Sequence, residues 1–83
     1  MISVKEAISI FEKNVPDKRI INLSDWNGKY VFQSRDRKLK DDEPDWDSSC
    51  EVVDQSTGEF STMDSFNMDY IKNSKDIDFK REL

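Results

Sequence analysis

Asn27 and Gly28 stand between two runs of β-prone residues, one around Ile20–Ser24 and one around Tyr30–Gln33. A two-residue type I′ turn needs positive φ at both central positions, and Asn-Gly is the pair that meets this demand at least cost. A hairpin is therefore predicted together with its register. Trp26 faces Lys29, Asp25 faces Tyr30, Leu23 faces Phe32, and Ile21 faces Ser34. Side chains alternate along strands, so Ile21, Leu23, Tyr30 and Phe32 share one face. The opposite face carries Asn22, Ser24, Lys29 and Gln33 mixed with Ile20, Val31 and Trp26, and is expected to be largely wet.

The apolar face needs a cover, and the N-terminus supplies one. Ser3 and Glu6 form an S-x-x-E capping box, with Ile2 placed to pack against Ala7. Val4, Ala7, Ile8, Phe11 and Val15 recur every three or four residues and form one apolar stripe. Pro16 ends the pattern, so a helix is predicted from about residue 3 to about residue 14.

After the hairpin the chain turns basic and then acidic, and residues 35–48 are expected to form a charged loop. A third strand is predicted near 49–54, where Cys50 and Val52 alternate with Ser49, Glu51 and Val53. Gly58 marks a turn, and a short fourth strand is expected to begin at 59–61. Met63, Phe66 and Tyr70 have the spacing of a second helix, with Asp64 or Thr62 as its cap. Residues 75–83 are read either as a frayed tail or as a late edge strand, the latter from the alternation over 76–79. Together these elements define an α+β fold. An N-terminal helix packs on a three- or four-stranded antiparallel sheet, with a second short helix toward the C-terminus. Eighty-three residues suffice for a single domain, 1–83, and no more.

Composition bounds the chemistry. Histidine is absent from the chain, which removes the usual general base and the commonest metal ligand near neutral pH. Cys50 is the only cysteine, with no histidine to activate it, so it is read as a small buried residue in a reducing compartment. Phosphate-cradling glycine loops and a G-x-S-x-G nucleophile elbow are both missing. Glu43, Asp45 and Asp47 resemble the opening ligands of a calcium loop. Ser48 stands where that loop needs glycine, and Asp54 stands where it needs a bidentate glutamate. The expectation is a non-catalytic protein without cofactor or metal, a small enzyme being the distant alternative. The opening residues do not resemble a signal peptide and no apolar run approaches a membrane span, so a cytoplasmic setting is expected.

Charge placement says more than the net charge of −5. From Asp41 to Asp69 there are ten acidic residues and no lysine or arginine, while the other 54 residues hold thirteen basic and eight acidic ones. An anionic surface of this kind steers a basic partner. Asp41, Asp42, Glu43, Asp45, Trp46 and Asp47 are the candidate partner-binding residues, with Trp46 either the anchor of the contact or a lid folded on the sheet. Arg35, Arg37, Lys38 and Lys40 form a basic run, but the neighbouring carboxylates repel phosphates, so direct nucleic-acid binding is not expected.

Ser3-Val4-Lys5-Glu6-Ala7 opening a helix, a hairpin containing Gly28-Lys29-Tyr30-Val31-Phe32, and then Val53-Asp54-Gln55-Ser56-Thr57-Gly58-Glu59 resemble a PepSY-type domain. With a late Met68-Asp69-Tyr70-Ile71 helix, the same order also resembles small immunity proteins encoded beside bacterial toxins. The resemblance spans about residues 3–72 and implies a helix set against an antiparallel sheet. The immunity likeness implies a protein that occupies a basic toxin site. The expected function is an inhibitor or immunity protein that engages a basic protein, whether a toxin or a nucleic-acid-binding protein, through an acidic surface. The alternative is a phage-encoded inhibitor of a host nucleic-acid-binding or defence protein that imitates phosphates.

Overall fold

The structure is a computed structural model that describes residues 1–38, 49–64 and 66–82. Helix α1 spans Val4–Asn14, with Ser3 as N-cap accepting the Glu6 N–H at 3.1 Å. Strands β1 (Lys18–Trp26), β2 (Lys29–Asp36), β3 (Ser49–Asp54) and β4 (Phe60–Asp64) follow, then helix α2 (Met68–Asn73) and strand β5 (Lys75–Asp76). A 3-10 turn at Lys80–Glu82 ends the described chain. The sheet is antiparallel with strand order β4-β3-β2-β1-β5, so the first four strands form a meander and β5 joins the β1 edge. The expected α+β fold is observed, with five strands where three or four were predicted.

Asn27 and Gly28 take φ of 52° and 74°, and the hairpin has the predicted register from Trp26–Lys29 to Leu23–Phe32. Beyond that, a β-bulge at Ile21 shifts the pairing, so that Ile20 and not Ile21 opposes Ser34. The extra residue swings Ile20 to the α1 side, where it packs on the core, and leaves Ile21 47% exposed. The predicted place of Ile21 in the core is thus corrected. On this face Ala7, Ile8 and Phe11 of α1 cover Leu23, Tyr30, Phe32 and Val53, and the Phe11 and Phe32 rings stack at 4.8 Å.

The second face differs from expectation. It is covered by α2, whose Tyr70 packs with Val31, Cys50 and Val52, all buried. Trp26 closes the cluster, edge-on to Tyr70 at 5.9 Å, and its indole N–H donates to Asp69 at 2.9 Å. Helix α2 begins later than the spacing of Met63, Phe66 and Tyr70 implied. Pairing with β3 extends Thr62, Met63 and Asp64 into β4, and the Asn67 side chain caps the helix by accepting the Tyr70 N–H at 3.2 Å. Phe66 is left 72% exposed.

Residues Arg35 and Asp36, expected in a loop, belong to β2. The 75–83 segment is anchored rather than frayed over its described part. The Ile77 N–H donates to the Leu23 carbonyl at 2.8 Å, and Phe79 is buried under α1.

Candidate partner-binding edge

The sequence order of charge becomes a spatial order because β3 and β4 are consecutive and lie together on one side of the sheet. Between Ser49 and Asp64 the described residues include Glu51, Asp54, Glu59 and Asp64 and no basic side chain. The strands on the other side, β2, β1 and β5, carry Lys18, Arg19, Lys29, Arg35 and Lys75 together with Asp25, Asp36 and Asp76, a balance of the opposite sign. The six residues singled out from sequence, Asp41, Asp42, Glu43, Asp45, Trp46 and Asp47, lie outside the described residues, as does the Glu43–Asp45–Asp47 calcium-like set. Their chain segment enters β3 at Ser49, which is paired directly with Asp64. Among the described residues no cluster of three or more potential metal ligands occurs.

Glu51 is a correction to the surface count. Its pairing with Phe32 turns it to the α1 side of the sheet, where it is only 2% exposed. A carboxylate there needs partners, and Lys18 Nζ at 3.2 Å and the Ser34 hydroxyl at 2.7 Å supply them. This acid binds the start of β1 to β3 and takes no part in an anionic surface.

Asp54 is committed as well. Its Oδ1 accepts the N–H groups of Ser56 at 2.8 Å and Thr57 at 3.0 Å, which form the turn into β4. Those two donors hold its carboxyl below the usual carboxylate range, Thr57 foremost. Gly58 completes the turn at φ 75°; a Cβ there would meet Ile10 Cδ1 at 3.3 Å. Gln55, beside it, donates its side-chain amide to Asp25 at 2.8 Å, while its backbone N–H bonds Gly28 and its carbonyl accepts from Ile2. The D-Q-S-T-G-E stretch is therefore a structural clasp. It joins the N-terminus and both turns at one end of the sheet. Tyr30 closes the same clasp by donating its hydroxyl to the Ile2 carbonyl at 3.0 Å, and burial, then Asp25 and Glu6, pushes that hydroxyl up from the ordinary tyrosine value.

Glu59 and Asp64 remain as exposed carboxylates at the two ends of β4. Asp64 also accepts the Phe66 N–H at 2.8 Å, which sets Phe66 beside the acidic edge. Met68 and Ile71, three residues apart on α2, are exposed too. Neither belongs to the packed clusters, so the core does not account for them. Sequence periodicity assigned Phe66 to the second helix, and Met68 and Ile71 were expected in a late helix but not as surface contacts. Three large apolar residues in six positions after Ser65 were the available signal.

The basic run is partly committed to structure. Arg37 donates its backbone N–H to Asp17 at 2.8 Å and its Nε to Pro16 at 3.2 Å. With Arg19, Phe11, Glu12 and Ile20 it lines an open cleft of about 160 Å³ at the end of α1. Cys50 is buried beneath Tyr70, away from any surface where a nucleophile acts. Among the described residues no helix is long and apolar enough to cross a membrane.

No protein-family model, curated protein or solved structure matches this chain, so the likeness to PepSY-type domains and immunity proteins rests on the residues that carry it. The fold is that of a five-stranded antiparallel sheet with one helix on each face.

Proposed function

We propose that this chain is a non-catalytic binding protein, an inhibitor or immunity protein, that holds a basic protein partner against the β4 side of its sheet. The observation that carries the reading is the separation of charge by strand order. The strands that carry no basic side chain, β3 and β4, sit together at one edge, where Glu59 and Asp64 are exposed and Phe66 stands beside Asp64. Carboxylates at a rim speed encounter with a cationic surface, and apolar side chains beside them slow escape. Asp41, Asp42 and Glu43 precede β3 in the sequence and add to the acidic stretch that runs from Asp41 to Asp69 without a lysine or arginine. A free cytoplasmic protein suits the role.

The test uses the partner captured from the native host and followed by binding kinetics at two salt concentrations. Reversing Asp41, Asp42, Glu43 and Glu59 to lysine lowers the association rate by about tenfold or more and flattens its salt dependence. Trp46→Ala and Phe66→Ala chiefly raise the dissociation rate, by about thirtyfold for a hot-spot residue. Kinetics that keep their rate and salt dependence after the charge reversal contradict the reading.

A further inference from the structure

We propose that the outer edge of β4 takes up a basic, extended protein segment as a sixth strand of the sheet; the inference rests on the basic-partner reading and specifies how the contact is made. The phase of the ladder shows which backbone groups are offered. In an antiparallel pair, hydrogen-bonded and non-bonded residue pairs alternate. The Asp54 N–H donates to the Glu59 carbonyl at 2.9 Å, and the register then steps through Val53–Phe60, Val52–Ser61, Glu51–Thr62 and Cys50–Met63. Glu59, Ser61 and Met63 therefore turn their backbone groups toward β3. Phe60 and Thr62 turn theirs outward, and no described strand pairs with them.

Sheet edges are normally guarded by lysine, proline, bulges or a covering element. The opposite edge has such guards: β1 is bulged at Ile21 and is paired over Ser24–Asp25 by β5. The stretch Glu59-Phe60-Ser61-Thr62-Met63-Asp64 contains no lysine, proline or bulge. Its guards are the two carboxylates, which repel acidic segments and attract basic ones.

A second copy of this chain is the wrong occupant. Antiparallel self-pairing centred on Thr62 sets Asp64 of each copy opposite Phe60 and next to Glu59 of the other. Four carboxylates then gather along one seam with no basic residue between them, and their mutual repulsion disfavours self-pairing. A segment with lysine or arginine at both ends of a short β-prone core reverses that sign. Glu59 and Asp64 stand five positions apart, about 17 Å along a strand, which sets the spacing of the basic residues. On the α1 side, half-buried Phe60 and Ile10 offer an apolar shelf for one side chain of the incoming strand. Strand addition of this kind takes affinity from main-chain bonds and specificity from the flanking side chains.

The experiment follows amide hydrogen exchange by NMR in the full chain while a blocked eight-residue peptide is added to about 1 mM, the range of weak strand addition. The probe has a threonine–valine core between lysines five positions apart; a second peptide replaces the lysines by glutamate. The lysine peptide is expected to slow exchange at Phe60 and Thr62 by about tenfold or more while Ser61 and Met63, already bonded to β3, keep their rates. The glutamate peptide is expected to change nothing. Thr62→Pro is expected to abolish the effect at an unchanged melting temperature, because the Thr62 N–H makes no ladder bond. Should that variant melt early, the exchange pattern in the parent decides alone.

Peptide binding that leaves Phe60 and Thr62 unprotected, or that survives Thr62→Pro in a folded protein, overturns strand addition and leaves the basic-partner reading standing. Protection by both peptides alike keeps strand addition and removes the charge preference. Protection by neither overturns strand addition, with the association kinetics still deciding the basic-partner reading. A concentration-dependent dimer dissolved by Thr62→Pro assigns the edge to a second copy and overturns the proposal.

Discussion

On one face of the sheet an eleven-residue helix lays Ala7, Ile8 and Phe11 over Leu23, Phe32 and Val53; on the other a six-residue helix sets one tyrosine, Tyr70, over Val31, Cys50 and Val52. The first face is held by area, with stacked aromatic rings and a continuous helical stripe. The second adds specific polar contacts to its packing: the Trp26 indole on Asp69, the Asn67 cap, and the Tyr70 hydroxyl reaching Ser24 Oγ at 3.5 Å. A short helix with few residues to bury needs such contacts, because isolated helices of its length do not persist in water. The contrast separates a face that drives folding from a face that orders what is attached to it.

Substitutions along β2 measure the contrast, since Phe32 and Val31 are neighbours on opposite faces. Phe32→Ala is expected to cost about 3–5 kcal/mol, because the cavity adds to the lost burial. In a domain of this size that is a large share of the total stability. A variant that melts like the parent removes Phe32 from the core. Val31→Ala is expected to cost about 2 kcal/mol in denaturant unfolding, from two lost methyl groups and the space they leave. A wet second face predicts almost no loss, so this variant separates the two descriptions of that face.

Asn67→Ala removes the cap of α2 and is expected to cost about 1 kcal/mol. The accompanying change in near-ultraviolet circular dichroism reports the loosening of Tyr70 against Trp26. A loss of stability with no spectral change makes the cap independent of the aromatic contact.

The smallest effect belongs to the clasp. The carboxyl of Asp54 titrates below its ordinary value in the folded state, so its contribution is present above the unfolded pKa. It is lost as the pH falls through the folded pKa. Asp54→Asn is expected to lower the melting temperature at neutral pH and to flatten its decline below about pH 4. An unaltered acid limb assigns that decline to other carboxylates.

The parts of this fold that were readable in sequence are those set by local chemistry. Asn27-Gly28 specifies its own dihedral angles and the register of its flanks, and Ser3 with Glu6 marks where α1 begins. The bulge at Ile21 has no local signal. It forms because Ile20 gains burial against α1, which is a tertiary gain. Periodicity misplaced the start of α2, since Met63, Phe66 and Tyr70 repeat at helical intervals although Met63 is in a strand, whereas the resemblance set the late helix at Met68-Asp69-Tyr70-Ile71, where α2 begins. The capping chemistry at Asn67, with Asp69 in the first turn, was the better guide. Alternation in β3 placed Glu51 on the face of Val53, and an acid on a helix-covered face is one that needs a partner. Counting it with the surface acids overlooked that. Of the candidate site, the polarity of charge was legible; the open edge was not, because strand order is a property of the whole sheet.

Native-state amide exchange along β4 in the unbound protein tests the central claim most directly, that this edge offers its outward backbone groups to an incoming strand. The account predicts alternation: slow exchange at Ser61 and Met63, whose N–H groups bond β3, and fast exchange at Phe60 and Thr62, whose N–H groups face outward. Uniform protection of all four amides would show that the edge is already covered, and would contradict the account.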